Sequence, residues 1–173
     1  MTAVLPPPRE WLDKYFGDEV RALYTGRVRV TGGEAGHGRA SGVAISDDGA
    51  LDVRLRLPVE MGGPGGGSNP EQLLAAAYAA CFHGALNLYA SRMGVPTRDV
   101  SVDAAVTFAR DPVDGLFLLS AEIRVAMPGL DRGVAAELIR NTERICPYAK
   151  MFRNGLDHAV VWVDDPATTS SLS

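Results

Sequence analysis

The sequence predicts an α+β fold in which one long apolar helix is covered by strands, and three observations carry that prediction. Strand-like alternation, apolar against polar, occupies Leu51 to Leu57 and again Val100 to Val125. Between them, Asn69-Pro70-Glu71 opens an alanine-rich helical run that continues to Ala90. A second helical period, Val134, Leu138, Thr142 and Ile145, follows Asp131. The expected order is three strands, long helix, two strands, helix, strand.

Each element has its own signals. Residues 1–20 form a Pro-rich N-terminal extension in which Trp11, Leu12, Tyr15 and Phe16 share one helical face, as a short docking helix would. The main domain is expected over 21–164 and a disordered Thr/Ser tail over 165–173. The first strand reads as Leu23 to Thr31, ended by Gly32-Gly33, and a loop with His37 and Arg39 leads to a second near Ser41 to Ser46. Asp47-Asp48-Gly49 is a hairpin turn, and the third strand runs until Pro58 and the glycines stop it. The long helix is small or apolar on nearly every side, the pattern of a helix enclosed by protein, and Met93-Gly94-Val95-Pro96 ends it. Val100 to Phe108 and Phe117 to Val125 form a hairpin around Asp111-Pro112-Val113-Asp114-Gly115. Asp131 caps the second helix, Pro147 closes it just after Cys146, and Ala159 to Val163 reads as a last strand. So little sheet cannot cover so apolar a helix, which points to a dimer.

Bulk composition narrows the function. A chain of 173 residues, 46% hydrophobic and 22% charged, suits a single domain with a real core. Net charge is −4 with no Lys/Arg block, so neither nucleic acid nor an anionic membrane is the expected partner. The N-terminus lacks a basic start with an apolar core, and no apolar run looks long enough to cross a bilayer, so a cytoplasmic location is expected. Two cysteines, Cys81 and Cys146, then read as a buried thiol pair or a redox pair.

The glycine run Gly62-Gly63-Pro64-Gly65-Gly66-Gly67 invites a phosphate-loop reading. Asn69-Pro70-Glu71 argues against it, since a missing donor and a negative charge stand where phosphate would bind. Cys81 is midway along its helix and gains nothing from that helix's N-terminus, while burial raises a thiol's pKa. A reactive thiolate there requires a cation, and Arg39 in its glycine-rich loop is the leading supplier. Glu71 is the acid that would hold this arginine. It lies ten residues before Cys81, about 15 Å along the helix, so in one shared site it would come from a second chain. Cys146, at a helix end, is placed to meet another sulfur. His37, His83 and His158 with the cysteines lack metal-ligand spacing, so no metal is expected.

At Asn69-Pro70-Glu71-Gln72-Leu73, Ala79-Ala80-Cys81-Phe82, Pro128-Gly129-Leu130-Asp131 and Cys146-Pro147-Tyr148 the chain closely resembles the organic hydroperoxide resistance proteins of the OsmC-like superfamily. The resemblance runs from about Leu23 to Val163. It implies mixed sheets wrapped around central helices in an intertwined homodimer, and a thiol peroxidase that reduces alkyl or fatty-acid hydroperoxides to alcohols. By resemblance Cys81 is the peroxidatic cysteine, Cys146 the resolving one that closes a Cys81–Cys146 disulfide, and Glu71 the acid that orients the catalytic arginine. The family's arginine usually follows a Gly-Gly pair directly, whereas here Glu34 follows Gly32-Gly33. Arg39 keeps the loop position, with Arg27 and Arg29 as alternatives. No bound cofactor is implied; the reductant is the lipoyl group of a partner protein. A binding protein of the same fold, holding an apolar ligand without turnover, is the other reading.

Overall fold

A computed structural model describes residues 14–34 and 40–163. Strands β1 (Val28–Thr31), β2 (Ser41–Ser46) and β3 (Asp52–Arg56) form an antiparallel sheet in that spatial order. Helix α1 (Pro70–Arg92) follows, then the β4 (Ser101–Arg110) and β5 (Phe117–Ala126) hairpin, then α2 (Arg132–Ile145) and α3 (Pro147–Asn154). The α+β class, the element order as far as α2 and both hairpins are those the sequence predicts.

The glycine run has a steric purpose. After a 3-10 turn at Val59–Met61 the chain folds back along β3, where Ser68 bonds Arg54 and Arg56 and makes one parallel bridge with Leu55. A Cβ on Gly63 would fall 2.2 Å from the Leu57 carbonyl oxygen, and one on Gly67 2.7 Å from that of Arg54. This close return delivers Asn69 to the start of α1, where its side chain accepts from the Gln72 N–H at 2.9 Å. Pro70 fills the first helical position, which needs no backbone donor.

On α1 the buried side chains are Tyr78, Phe82, Leu86, Tyr89 and Ala90, spaced to form one face. They pack on Val102, Ala104, Ile123 and Val125 of the hairpin and on Leu138 of α2. Asp131 caps α2 by accepting from the N–H groups of Gly133 and Val134.

Several expectations are corrected. The first strand starts at Val28 rather than Leu23, and residues 14–27 have no regular structure. The N-terminal docking helix falls mainly outside the described residues, and Lys14 to Phe16 within them are not helical. Ala159 to Val163 forms no strand: the segment pairs with no described strand, and Val160 and Trp162 are 94% and 82% exposed. Pro147 does end α2, but it also begins α3, an element the sequence reading lacked. At 23 residues α1 is also long and apolar enough, by length and composition, to cross a bilayer, contrary to the expectation of no such run. One face of it packs on the hairpin, α2 and α3. Finally, α1 is enclosed on one face only within a single chain, with Ala76, Ala80, Gly84 and Leu88 left exposed.

Candidate active site

Tyr78, Phe82 and Leu86 anchor α1 against the hairpin, and this sets the rotation of the helix so that Cys81 lies beside the corner between α2 and α3. Cys146 is that corner. Its N–H donates to the Thr142 carbonyl at 2.9 Å as α2 ends, and its carbonyl accepts from the Lys150 N–H at 3.0 Å as α3 begins. A proline immediately after an α2-terminating residue produces both effects, since it cannot continue one helix and is suited to start the next. Arg153 holds the corner shut by donating to the carbonyl and carboxylate of Glu143, each at 3.1 Å.

The two sulfurs are 3.4 Å apart, with the Cys146 thiol donating to Cys81 Sγ. Both cysteines are free thiols. A disulfide needs about 2.05 Å, so closing the bond asks for a sulfur displacement of about 1.4 Å and no rearrangement of a mobile chain end. Cys146 is fully buried and Cys81 only partly so.

Burial is the main influence on Cys81 and pushes its thiol above the ordinary range; the backbone N–H of Tyr148 pulls it down, and the neighbouring Cys146 raises it again. Cys81 does meet a helix N-terminus, though not that of α1. Its own helix gives none, but the first turn of α3 points an unpaired N–H at the sulfur. The sequence carried one signal for this, a proline at position 147 that suits the start of a helix as well as the end of one. Tyr78 was also missed. It packs edge-on against Phe82, with ring centroids 6.3 Å apart, and tilts against Phe152 at 4.8 Å. Burial first, then nearby Cys146 and Glu143, keep its phenol above the usual range, so it stays protonated beside the sulfurs.

Glu71 is in the first turn of α1, ten residues before Cys81 at the helix's midpoint. Arg39 and His37 lie outside the described residues. Of the alternatives, Arg27 is 4.0 Å from Asp47, and Arg29 stands on β1 opposite Ile45. Within one chain the sheet beside both does not pack closely on α1. His83 is exposed on α1 and interacts with Asn87 one turn on, while His158 is exposed beyond α3. Among the described residues no three His, Cys, Asp or Glu side chains group as metal ligands.

Comparison with known proteins agrees with this arrangement. Residues 63–161 match the OsmC-like protein family. An organic hydroperoxide resistance protein of Xanthomonas axonopodis pv. citri is 40% identical over 140 residues, which is 79% of this chain and 92% of that protein. Among solved structures, an organic hydroperoxide resistance protein from Legionella pneumophila superposes with a TM-score of 0.68 at 36% identity, covering 79% of this chain and 95% of that one. The organic hydroperoxide resistance protein OhrB of Bacillus subtilis gives 0.66 at 38% identity, covering 79% and 96%. With a family match that takes in α1, the hairpin, α2, α3 and both cysteines, the chain belongs to the OsmC-like family, among its organic hydroperoxide resistance proteins.

Proposed function

We propose that this protein is a two-cysteine peroxidase that reduces organic hydroperoxides in the cytoplasm. The observation that carries the reading is the sulfur pair, 3.4 Å apart with one member reachable and the other buried. The relatives' role in organic hydroperoxide resistance supports the substrate class. The Cys81 thiolate attacks the distal peroxide oxygen, the O–O bond breaks, and the departing alkoxide takes a proton to leave as the alcohol. Cys81 is then a sulfenic acid. Cys146 attacks its sulfur, water leaves, and a Cys81–Cys146 disulfide forms. A dithiol, the lipoyl group of a partner protein, returns both sulfurs to thiols by exchange.

Since burial opposes the thiolate, the N–H of Tyr148 is joined in this reading by the guanidinium of Arg39, oriented by Glu71. Glu71 is about 15 Å from Cys81 along α1, so it serves the thiol of a second chain in a homodimer. The exposed faces of α1 and of the three-stranded sheet support that assembly. The apolar side chains around Cys81 favour an alkyl or fatty-acid hydroperoxide over hydrogen peroxide. A ligand carrier without turnover would leave the approach of the two sulfurs without a role. Stopped-flow reduction of cumene hydroperoxide with dihydrolipoamide decides between them: Cys81→Ser is expected to abolish turnover, and undiminished turnover in that variant overturns the proposal.

A further inference from the structure

The two sulfurs of the pair are unequal in a way that governs how their disulfide reopens. Cys146 is 0% exposed and belongs to one buried cluster with Tyr78, Phe82, Leu86 and Ala149. Its backbone is bonded into α2 on one side and α3 on the other, and the Arg153–Glu143 contacts close the corner over it. It cannot turn outward without opening both helices. Cys81 is partly exposed on the middle of a rigid helix.

Thiol–disulfide exchange needs the entering sulfur to approach in line with the S–S bond, from behind the sulfur it attacks. We infer that the entering thiolate always attacks Cys81 Sγ and that Cys146 is always the leaving sulfur. This rests on the two-cysteine reading for the origin of the disulfide. In the first step a bond forms between the entering sulfur and Cys81 Sγ while the Cys81–Cys146 bond breaks, and its electron pair leaves as the Cys146 thiolate. That anion forms at the corner where α2 ends and α3 begins, and it takes up a proton as the two thiols are restored. In the second step the reductant's other thiolate attacks the reductant sulfur held on Cys81, forming the reductant's own disulfide and freeing the Cys81 thiolate. The two electrons taken from the dithiol are those that convert the protein disulfide to two thiols. Peroxide and reductant therefore reach the same sulfur and must use its opening in turn.

The test uses the full chain, oxidised in one arm with diamide and in a second with cumene hydroperoxide. Each oxidised sample receives a brief pulse of 2-mercaptoethanol, a monothiol that cannot complete the second step, and is quenched into denaturing N-ethylmaleimide. Trypsin places Cys146 in the hexapeptide Ile145–Lys150, apart from the peptide that ends at Arg92 and carries Cys81. The expected result is mercaptoethanol on Cys81 and maleimide on Cys146, by roughly ten to one or more. Mercaptoethanol on Cys146, an even split, or no disulfide after diamide overturns the inference. Disulfide formation with diamide but not with peroxide, followed by the expected labelling, overturns the peroxidase reading and upholds the direction of exchange.

Discussion

Burial pushes the Cys81 thiol upward, and among the described groups only the Tyr148 N–H pulls it down. A single neutral donor offsets part of a desolvation cost, so full activation needs a charge. Arg39→Ala is accordingly expected to raise the Cys81 pKa further, because a close opposite charge that favours the thiolate is lost. Peroxide reduction near neutral pH should fall by orders of magnitude, because the thiolate is the nucleophile. The pH profile of thiol alkylation reads the shift directly. An unmoved profile would transfer the role to Arg27 or Arg29. One turn before Cys146, Thr142 is fully buried and its hydroxyl has no hydrogen-bond partner among the described residues. Thr142→Val keeps the shape and removes the unpaired group, so it should stabilise the protein by about 1 kcal/mol in urea unfolding. A loss of that size would show that the hydroxyl is satisfied in solution.

At the scale of elements, the sequence was legible wherever a segment's signals were local. The cap at Asn69, the glycines after β3, the alternation of β4 and β5 and the Asp131 cap each specify their element without help from elsewhere. Legibility failed where an outcome depended on a neighbour. Pro147 reads as a stop when only α2 is considered, and as a start once Tyr148 to Asn154 has α1 to pack against. Ala159 to Val163 has strand composition but pairs with no described strand of this chain. For the site, the two cysteines were readable, whereas the N–H of Tyr148 was not, because its one signal, Pro147, reads equally as the end of α2. The glycine run is a local signal whose meaning is steric. With a Cβ at Gly63 set 2.2 Å from the Leu57 carbonyl oxygen, Gly63→Ala must displace backbone. Destabilisation of about 1 to 3 kcal/mol is expected, seen as a lower urea midpoint at unchanged slope. An unchanged midpoint would mean that the return along β3 is not tightly packed.

At the scale of the molecule, the three-stranded sheet and the helical body are joined in sequence but do not pack closely on each other among the described residues. Register places Val28, Val30, Ala44, Val53 and Leu55 on one face of that sheet. Ala44 and Leu55 on this face are buried, while Val30 is 56% exposed. Meanwhile α1 presents Ala76, Ala80, Gly84 and Leu88 to solvent. An apolar sheet face and an apolar helix face, each only partly covered by its own chain, are complementary if a second copy supplies the cover. Val30→Lys separates the possibilities. If the sheet faces water in solution, a lysine at an exposed strand position costs at most a few tenths of a kcal/mol and leaves the association state alone. If the sheet is covered by a second copy, an ammonium without a partner enters an apolar interface at a cost of several kcal/mol, enough to weaken a dimer by a factor of a hundred or more. Sedimentation velocity is expected to show a dimer for the parent chain and a shift toward monomer for the variant at the same micromolar concentration. Peroxide turnover should fall with the dimer, because Glu71 then no longer reaches the other chain's thiol. A variant that stays dimeric and active would place the interface elsewhere and return Glu71 to a capping role on its own helix.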